Sequence, residues 1–588
     1  MKLPQLNVLP QSREVTDVFG GYNHNLRIGN GEFYDMRNMT SDHFPSLSPR
    51  TQRGVYTISG KPVTNAQGLI EKDALCYVQN GNFVINGFTV PMELDNEPKT
   101  MVSMGAYVII LPDKKYINTI NYEDRGNIEA EAETVGTVHF SLCKVDGTDY
   151  GYVSGETEPG SKDDNTLWLD TSSSPHTLKQ YSESNKAWVS IPTTYIKIQC
   201  NDWGADAELV LQKSFKEGDG VMISGITAEG LTDLNNTMVL WEVGKDYIVV
   251  TGVMGTVKDQ TDKVKIERRM PAMDFLIESE NRLWGCRYGE DINGNVVNEI
   301  YASKLGDFKN WHCYAGISTD SYAATVGTDG VFTGAITHMG YPLFFKENYL
   351  HKVYGNYPAN YQIQTTACRG VQRGCSKSLA IVNETLFYKS PKAVCAYDGS
   401  LPSEVSAPLG EVQYSNAVAG SLGNKYYISM KDKTGCSLFV YDHAKGMWHK
   451  EDNLEPVMFC KCDGELYYID SDDNNTIKTI LGSGTKDTAP VSWMAETGII
   501  GTDSPDKKYI SRIVARMSLA LNTRVMVFIQ YDSMGSWEHL HTMTGTSLHS
   551  FSFPIKPKRC DHLRLRFVGE GDAKIFSIYK TIEQGSDA

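Results

Sequence analysis

The chain has 588 residues, which is more than one hydrophobic core usually serves, so we expect several domains. Its 41% hydrophobic and 22% charged residues are typical of a folded protein, and 32 tyrosines with 52 glycines favour many short strands joined by tight turns. The formal net charge of −15 argues against a protein that grips nucleic acid, because phosphate binding requires clustered lysine and arginine.

The first 55 residues are rich in glycine, asparagine and proline and show little periodicity. We interpret residues 1–55 as an extended arm that becomes ordered against neighbouring molecules. Pro4 and Pro10 interrupt any apolar run near the start, and no later run is long enough to span a membrane. The cysteines are scattered within apolar strand patterns. We therefore expect a soluble protein with reduced thiols, assembled in a reducing cytoplasm.

Two short apolar strands follow in residues 56–120, which we interpret as the first part of a repeat domain. One begins at Leu75 and leads into Asn80-Gly81, a dipeptide that favours a two-residue hairpin turn. The other begins at Tyr107. Helical periodicity is almost absent here and along the whole chain.

The next segment, residues 121–270, differs from the repeat in its composition and strand pattern. It contains a stretch rich in glycine, serine and aspartate at 155–165, followed by alternating strands such as 194–198 and 247–251. Loops between strands tolerate large insertions because their ends stay close together. We therefore interpret residues 121–270 as an inserted β-domain.

Residues 271–485 resume the repeat as the second part of the same domain. A short apolar triplet after a polar turn begins at residues 343, 386, 426 and 466, with spacings of 43, 40 and 40, and a weaker copy begins at Leu283. A period near 40 with several strands per unit is the length of a β-propeller blade. With the two upstream copies there are seven units, so we predict an all-β chain with a β-propeller of about seven blades. A sandwich or solenoid of hairpins with accidental spacing is the alternative.

The repeat stops near Gly484, although strands continue at 512–516, 525–529 and 563–567. We interpret residues 486–588 as a small C-terminal β-sandwich.

A tyrosine, a polar turn and a tryptophan recur in three places, at Tyr181 and Trp188, Tyr441 and Trp448, and Tyr531 and Trp537. We predict hairpins whose aromatic rings cover the turn, with a carbohydrate-stacking platform as the alternative.

The sequence does not match the known catalytic motifs. There is no HExxH pair for zinc and no GxSxG elbow for a serine nucleophile. Gly54, Gly60 and Lys61 superficially resemble a phosphate loop, but the spacing is one residue too long and Pro62 replaces the hydroxyl that would reach magnesium. Residues 532–537 have the residue types of a sialidase Asp-box turn without its spacing. Sequence alone cannot place two carboxylates for glycoside hydrolysis among 71 acidic residues. We predict that the chain is not an enzyme, with a propeller glycosidase as the remaining alternative.

The sequence does not match known metal-binding or nucleic-acid-binding motifs either. Residues 470–475 place oxygens at alternate positions, as a calcium loop does, but Asn475 and Leu481 replace its required glycine and glutamate. We predict a solvated hairpin tip there, and another at 291–295.

Two basic clusters, Glu267-Arg268-Arg269 and residues 556–559, lack interleaved aromatics, so we predict ordinary surface. Cys460 and Cys462 have no second pair at zinc-finger spacing. We therefore predict no catalytic residue, no metal ligand and no cofactor.

Two stretches resemble a known family. The first consists of Gly20-Gly21-Tyr22-Asn23, Gly31-Glu32-Phe33-Tyr34-Asp35-Met36-Arg37-Asn38-Met39, Leu47-Ser48-Pro49-Arg50 and Arg53-Gly54. The second consists of Asn281-Arg282-Leu283-Trp284-Gly285, Ile300-Tyr301-Ala302-Ser303, Gly306-Asp307, Asn310-Trp311, Phe344-Phe345-Lys346-Glu347 and Val353-Tyr354-Gly355. They resemble the start and the propeller core of tail proteins in the nozzle, tail-hub or stabilisation-protein group of short-tailed bacteriophages. The resemblance covers about half the chain, in pieces, and the insertion at 121–270 departs from it.

The resemblance implies a structural protein of the virion tail that forms a homo-oligomeric ring, six-fold in this family, around the DNA exit channel. It implies contacts with other tail proteins, on the adaptor or portal side and at the fibres, while DNA passes without specific binding and the chain inserts into no membrane. An acidic channel wall would repel phosphates. The main alternative is a receptor- or glycan-binding tail or baseplate protein that uses the insertion or the C-terminal region.

Overall fold

The computed structural model describes residues 11–204, 210–254, 258–291, 294–471, 474–486, 489–502, 507–556 and 558–584. The prediction of an all-β chain is confirmed, because strands dominate this part of the chain. Its helical segments are short: the α-helix Val210–Ser214 and the 3-10 turns Thr232–Leu234, Pro358–Asn360, Ser376–Ser378 and Ala407–Leu409. No helix in the described ranges has the length and apolarity required to cross a membrane.

The repeat region contains seven sets of paired strands, which we number as sheets in chain order: five are separate four-stranded sheets, the sixth forms one end of a twelve-stranded sheet, and the seventh has five strands. The first to third are Ala66–Glu71, Leu75–Gln79, Asn82–Ile85, Phe88–Pro91; Thr100–Met104, Tyr107–Leu111, Lys115–Asn118, Arg125–Asn127; and Phe275–Ser279, Arg282–Glu290, Val296–Ala302, Tyr322–Thr325. The fourth to sixth are Gly334–His338, Tyr341–Lys346, Tyr349–Tyr354, Gln362–Ala367; Ala380–Val382, Thr385–Lys389, Val394–Tyr397, Ser403–Glu404; and Ser415–Leu422, Lys425–Lys431, Cys436–Asp442, Met447–Lys450.

The seventh sheet combines the two ends of the repeat region. Its strands are Pro456–Cys462, Glu465–Asp470, Thr476–Thr479, then Gly54–Val55 and Thr485–Lys486. Gly54 pairs with Thr479 and Val55 with Lys478, so the residues just before the first sheet complete the last one.

The apolar triplets of the repeat all lie in the second strand of a sheet. In the fourth sheet Leu343, Phe344 and Phe345 are all buried, so both faces of this strand are covered and it reads as a continuous apolar run. The predicted turn at Asn80-Gly81 is confirmed: both residues have positive φ, 49° and 74°, as the tight hairpin requires.

The chain divides into two compact units. One comprises Met1–Lys99, Phe344–Leu350 and Thr365–Ala588, and the other Thr100–Leu343 and His351–Gln364. The predicted domain boundaries at residues 55, 120, 270 and 485 stay predictions.

In the unit that contains both chain ends, the fifth, sixth, seventh and first sheets pack in succession. Tyr426 of the sixth sheet donates a hydrogen bond from its hydroxyl to the Ser378 carbonyl beside the fifth. One core joins the sixth sheet to the seventh, and another joins the seventh to the first through residues such as Ile469 and Leu69.

The same unit holds the N-terminal segment through a buried ion cluster, which we call the anchor cluster: Arg50, Arg53, Glu451 and Asp452. The Arg53 Nη2 atom lies 2.9 Å from Glu451 Oε2 and 3.0 Å from Asp452 Oδ1. Arg50 Nη2 lies 3.0 Å from Asp452 Oδ2. The cluster fixes the chain immediately before its short strand Gly54–Val55.

The N-terminal residues, predicted to be an extended arm that becomes ordered against neighbouring molecules, pair with strands of their own chain. Within residues 11–55 the strands Gln11–Thr16, Gly21–Tyr22, Glu32–Arg37, Met39–Thr40 and Ser48–Pro49 are formed, and a hairpin of Thr57–Ile58 and Lys61–Pro62 follows. Gln11–Thr16 pairs with Ala573–Gln584, and Glu32–Arg37 with Ser492–Thr497. Buried aromatics such as Phe33 supply the apolar side chains that hold this segment on its own chain.

Three further sheets lie between residues 130 and 268, in the other unit. They are Ala130–Glu133, Lys265–Arg268, Gly220–Ser224, Thr237–Val239; Glu242–Val243, Tyr247–Thr251, Tyr195–Gln199, Val138–Cys143, Asp259–Gln260; and Tyr152–Gly155, Leu167–Asp170, Thr177–Ser182, Ala187–Ser190. A single core that includes Phe140, Ile198 and Val250 lies among them. In the same unit, a core that includes Ile109 and Leu283 packs the second sheet against the third.

The C-terminal strands are long: Lys508–Tyr531, Glu538–Phe553, Leu563–Glu570 and Ala573–Gln584, preceded by Ser492–Thr497. The first half of Lys508–Tyr531 pairs with Ala573–Gln584 and the second half with Leu563–Glu570. Between these halves the register shifts, and Asn522 has a φ of 67°. The long strand therefore has a different partner in each half, and these strands belong to the same twelve-stranded sheet as the sixth set of strands. The predicted C-terminal β-sandwich stays a prediction.

Candidate functional site

The outward face of the C-terminal strands presents a cluster of arginines. Arg13 lies opposite Thr581 across one strand pair, and Thr581 lies opposite Arg512 across the next. The following row has Val15, Tyr579 and Val514 in the same arrangement, with Arg516 farther along the strand. We call the surface of Arg13, Val15, Arg512, Val514, Arg516 and Tyr579 the arginine face.

Strand alternation places these side chains outward. In the sequence from Arg512 to Met517, the buried residues are Ile513, Ala515 and Met517, and the intervening side chains point to the opposite side. The arginine face surrounds a shallow depression of about 640 Å³, to which Ser511, Ser550 and Thr581 contribute hydroxyl groups.

The arginines of this face have no carboxylate partner among the described residues. Arg516 donates a hydrogen bond from Nε to Ser550 Oγ over 3.4 Å. The neighbouring Lys580 is buried and pairs with Glu14 at 3.2 Å, so it does not add to the exposed charge. Because like charges held together repel, a partner that supplies carboxylates to this face lowers its electrostatic free energy.

The composition of the face suits a protein partner. Arginine and tyrosine are the residues that most often carry binding energy in interfaces, and Val15 and Tyr579 are 46% and 38% exposed. Three planar guanidinium groups beside an apolar row can bind carboxylates in a bidentate manner while burying apolar area.

Charge is distributed unevenly along the chain. Residues 507–584 contain 12 lysines and arginines but 6 acidic residues, a net charge of +6. Residues 121–270 contain 14 basic and 25 acidic residues, a net charge of −11. The overall acidity therefore conceals one basic and one strongly acidic region.

A second feature, in the unit that contains residues 100–343, is a polar cleft of about 950 Å³. The Arg268 Nη1 atom lies 2.6 Å from Asp219 Oδ2, and both side chains are buried. The Lys309 ammonium donates to the Tyr116 hydroxyl over 2.9 Å, and burial, together with the nearby Arg268, lowers the pKa of Lys309.

The acids that line this cleft are already in ion pairs. Glu129 pairs with Lys114, Glu131 with Lys265, and Glu267 with Lys265 and Arg269. Burial opposes ionisation of Glu267, but hydrogen bonds from Lys265 and Arg269 outweigh it and lower its pKa. The acids of the cleft are thus neutralised by neighbouring lysines and arginines.

This cleft corrects one prediction. The cluster Glu267-Arg268-Arg269 was expected to be ordinary surface, yet Arg268 is buried and paired with Asp219. The strand Lys265–Arg268 alternates sides, which directs Arg269 outward and Arg268 inward. In the other basic cluster, Lys558 pairs with exposed Glu538 at 3.1 Å, and Pro557 lies outside the described residues.

The candidate calcium loop is partly outside the described residues, which omit Asp472 and Asp473. Asp470 is paired with Lys478 at 2.9 Å. At the second candidate, Asn295 donates its backbone N–H to Asp291 Oδ1 over 2.8 Å, and residues 292–293 are not described. Within the described ranges, no group of three or more metal-ligating side chains converges.

The two remaining enzyme-like motifs form ordinary turns. Gly60 occupies the tip of the hairpin that pairs Ile58 with Lys61. Asp532 accepts backbone hydrogen bonds from Asp561 and His562, at 2.7 and 3.3 Å.

Two of the three predicted tyrosine–tryptophan hairpins are confirmed. Tyr181 lies opposite Trp188 and Tyr441 opposite Trp448, with ring centroids 5.4 and 5.0 Å apart. Trp537 instead lies under the Arg566 guanidinium, 3.9 Å from the ring centroid.

Cys460 and Cys462 lie in one strand of the seventh sheet. Burial raises the pKa of Cys460 to about 12 and of Cys462 to about 11, so both stay protonated at neutral pH.

The arginine face was missed in the sequence because its members are far apart. Arg13 and Arg512 are brought together by two strand pairings that no local pattern shows. The available signal was Arg512 and Arg516 with a valine between them at alternate positions, the pattern of an exposed strand face.

Comparisons with known proteins identify no family. No family model matches the chain, and no curated protein matches it either. Among solved structures, it is similar to an exo-β-1,3-galactanase from Phanerochaete chrysosporium, with 10% identity and a TM-score of 0.21 over 52% of this chain and 94% of that one. It is also similar to an acylaminoacyl peptidase from Pyrococcus horikoshii, with 9% identity and a TM-score of 0.23 over 50% and 46%. A third similar structure is apo AztD from Citrobacter koseri, with 10% identity and a TM-score of 0.27 over 72% and 94%.

The prediction that the chain is not an enzyme is wrong by this comparison, because the similar structures include glycoside hydrolases and a peptidase. We withdraw that prediction. With TM-scores of 0.27 and below, the likeness assigns no activity to this chain.

Proposed function

We propose that the seven sheets of the repeat region close into a seven-bladed β-propeller. The support is the seventh sheet, in which the strand Gly54–Val55 precedes the first sheet in the chain and pairs with the last repeat. Propellers are closed by such an exchange between the chain ends, because it joins the first and last blades. The successive packing of sheets within each unit is what neighbouring blades require.

We propose that this protein is a ring-forming structural component of a bacteriophage tail, a nozzle or hub that surrounds the DNA exit channel. In this function it anchors neighbouring tail proteins or fibres, and it is assembled in the host cytoplasm. Residues of the stretches that resemble tail proteins make contacts that hold the fold together. Arg282 donates a hydrogen bond to the Ser303 carbonyl over 2.7 Å, which joins two separate pieces of the second stretch.

The observation that carries the proposal is the arginine face. A ring component needs a self-association surface, and this face combines arginines that have no carboxylate partner among the described residues with exposed Val15 and Tyr579 on a sheet. The net charge of −15 fits a channel wall that DNA passes without being trapped.

Negative-stain imaging of the purified chain, combined with mass photometry, tests this function. We expect six-fold rings with a mass six times the 65.4 kDa of the chain. Trimers that adsorb to bacterial cells would instead support the receptor- or glycan-binding alternative. Release of reducing sugar from cell-wall glycan, abolished by a single carboxylate substitution, would replace the proposal with a glycosidase.

A further inference from the structure

We propose that the arginine face docks the acidic inserted region, residues 121–270, of a second copy of this chain. This inference rests on the proposed ring and names the two surfaces that build it. The partner is identified by its chemistry, a folded β-domain whose net charge is −11, facing a C-terminal region whose net charge is +6.

Charge decides which surfaces of two copies can meet. Each chain carries −15, so two copies repel unless a basic surface on one faces an acidic surface on the other. Residues 507–584 are a basic region, and the arginine face concentrates exposed cations of this region with Arg13 of the N-terminal strand. The segment 121–270 has the largest acidic excess among the predicted parts of the chain.

The geometry of the face fits carboxylates on a protein surface. Arg13 and Arg512 are separated by the strand that carries Thr581, so their backbones lie about 10 Å apart, at two strand spacings. The guanidinium groups can each bind a carboxylate, and the row of Val15, Tyr579 and Val514 provides the apolar area between and beside them.

The two surfaces are different parts of the chain, so the contact is heterologous. Each copy offers its arginine face to one neighbour and its acidic region to the other. A heterologous contact propagates head to tail and closes into a ring when the rotation between copies allows it. The contact therefore gives a physical reason for a ring.

The first test measures assembly of the full chain by sedimentation velocity at low and high salt. The variant Arg13→Glu/Arg512→Glu/Arg516→Glu reverses the charge of the arginine face. The matched control is Arg524→Glu, which changes another exposed arginine of the strand Lys508–Tyr531. We expect the triple variant to raise the apparent dissociation constant about a hundredfold and the control to leave it unchanged. High salt should weaken assembly of the unsubstituted chain. The triple Arg→Gln variant, checked by circular dichroism, separates lost charge from misfolding.

The second test identifies the occupant. Arg512→Lys keeps the positive charge and adds an amine, which a carbodiimide can couple directly to a contacting carboxylate. With mixed ¹⁴N and ¹⁵N copies, we expect mass spectrometry to show Lys–carboxylate links between different copies, from position 512 to acidic residues within 121–270. Links between copies that reach only other parts of the chain would overturn the named occupant.

The outcomes distinguish this inference from the proposed function. If the unsubstituted chain forms no ring, the proposed function fails. If it forms rings that the triple variant also forms, the function stands and the arginine face is not the interface. If the triple variant still forms rings but loses binding to a fluorescent DNA duplex in an anisotropy assay, the face binds nucleic acid and the inference is overturned.

Discussion

The anchor cluster allows a quantitative prediction about how the first and last repeats are joined. The Arg53 side chain is 11% exposed and that of Glu451 is 5% exposed, so Arg53→Met leaves a buried carboxylate without its nearest partner. Removing one member of a buried ion pair costs about 3–5 kcal/mol. Since Arg50 remains 3.6 Å from Glu451 and 3.0 Å from Asp452, we expect the lower value, about 3 kcal/mol.

The assay is native-state hydrogen exchange, because a chain with two units does not unfold in one step. The Tyr56 amide, which donates to the Ile477 carbonyl over 2.9 Å, reports directly on the joined strands. A loss of 3 kcal/mol corresponds to roughly a hundredfold faster exchange there. Arg27→Met, at an exposed position of the same N-terminal segment, is the control. Equal exchange in both variants would refute the idea that the ion cluster holds these strands.

The pH dependence gives an independent check. Burial raises the pKa of Glu451, against the opposing influence of Arg53 and Arg50. A folded-state pKa above the unfolded value means that this group favours folding at low pH, and that the contribution is lost as the pH rises through the folded pKa. Without Arg53 the effect of burial on the Glu451 pKa is less opposed, so the stability lost in Arg53→Met should become smaller as the pH falls below neutral.

Four further substitutions have defined outcomes. Asp219→Asn should lower the free energy of unfolding of its unit by about 3 kcal/mol in urea titrations, whereas Arg269→Met, at the exposed position next to Arg268, should change it by less than about 1 kcal/mol. Gly54→Ala should destabilise by more than about 2 kcal/mol, because the new Cβ would lie 2.2 Å from the Ser483 carbonyl oxygen, while Gly60→Ala, which meets open space at a φ of 77°, should cost about 1 kcal/mol in thermal melts. Leu386→Ala in a fully buried second strand should cost about 2–5 kcal/mol, and Leu401→Ala at a 64% exposed site less than about 0.5 kcal/mol. Burial, aided by Lys425, lowers the pKa of His449 to about 3, so the unfolded chain binds the extra proton and stability is lost as the pH falls from about 6.5 towards 3; His449→Gln should flatten that part of the stability curve.

The sequence was informative wherever local chemistry decides structure. Asn80-Gly81 needs no distant contact to form its turn, and an apolar triplet such as Leu343-Phe344-Phe345 identifies a strand covered on both sides. Each such signal lies within one set of strands, which is why the repeated strands of this region could be predicted from local sequence.

Features that depend on distant pairings could not be predicted. The N-terminal segment reads as an arm because its strands have two to six residues, and Phe33 and Met36 become buried only against Ser492–Thr497. Arg268 reads as surface because its partner Asp219 is 49 residues away. The arginine face has the same cause, since its members meet through pairings between the two ends of the chain.

The dependence on distant pairings also explains why the strand Gly54–Val55 needs the neighbouring charges of Arg50 and Arg53. Gly54–Val55 has two residues, too few for its hydrogen bonds to offset the entropy of closing a loop of more than 400 residues. The apolar contacts available to this strand are limited. Gly54 has no side chain, and an added Cβ would lie 2.2 Å from the Ser483 carbonyl oxygen. Directional ion pairs from Arg50 and Arg53 solve this problem, since they fix the segment in register without requiring space beside Gly54. The same logic extends to the arginine face: where a sheet has little apolar area to offer, bidentate arginines on a rigid backbone give a contact both its strength and its register.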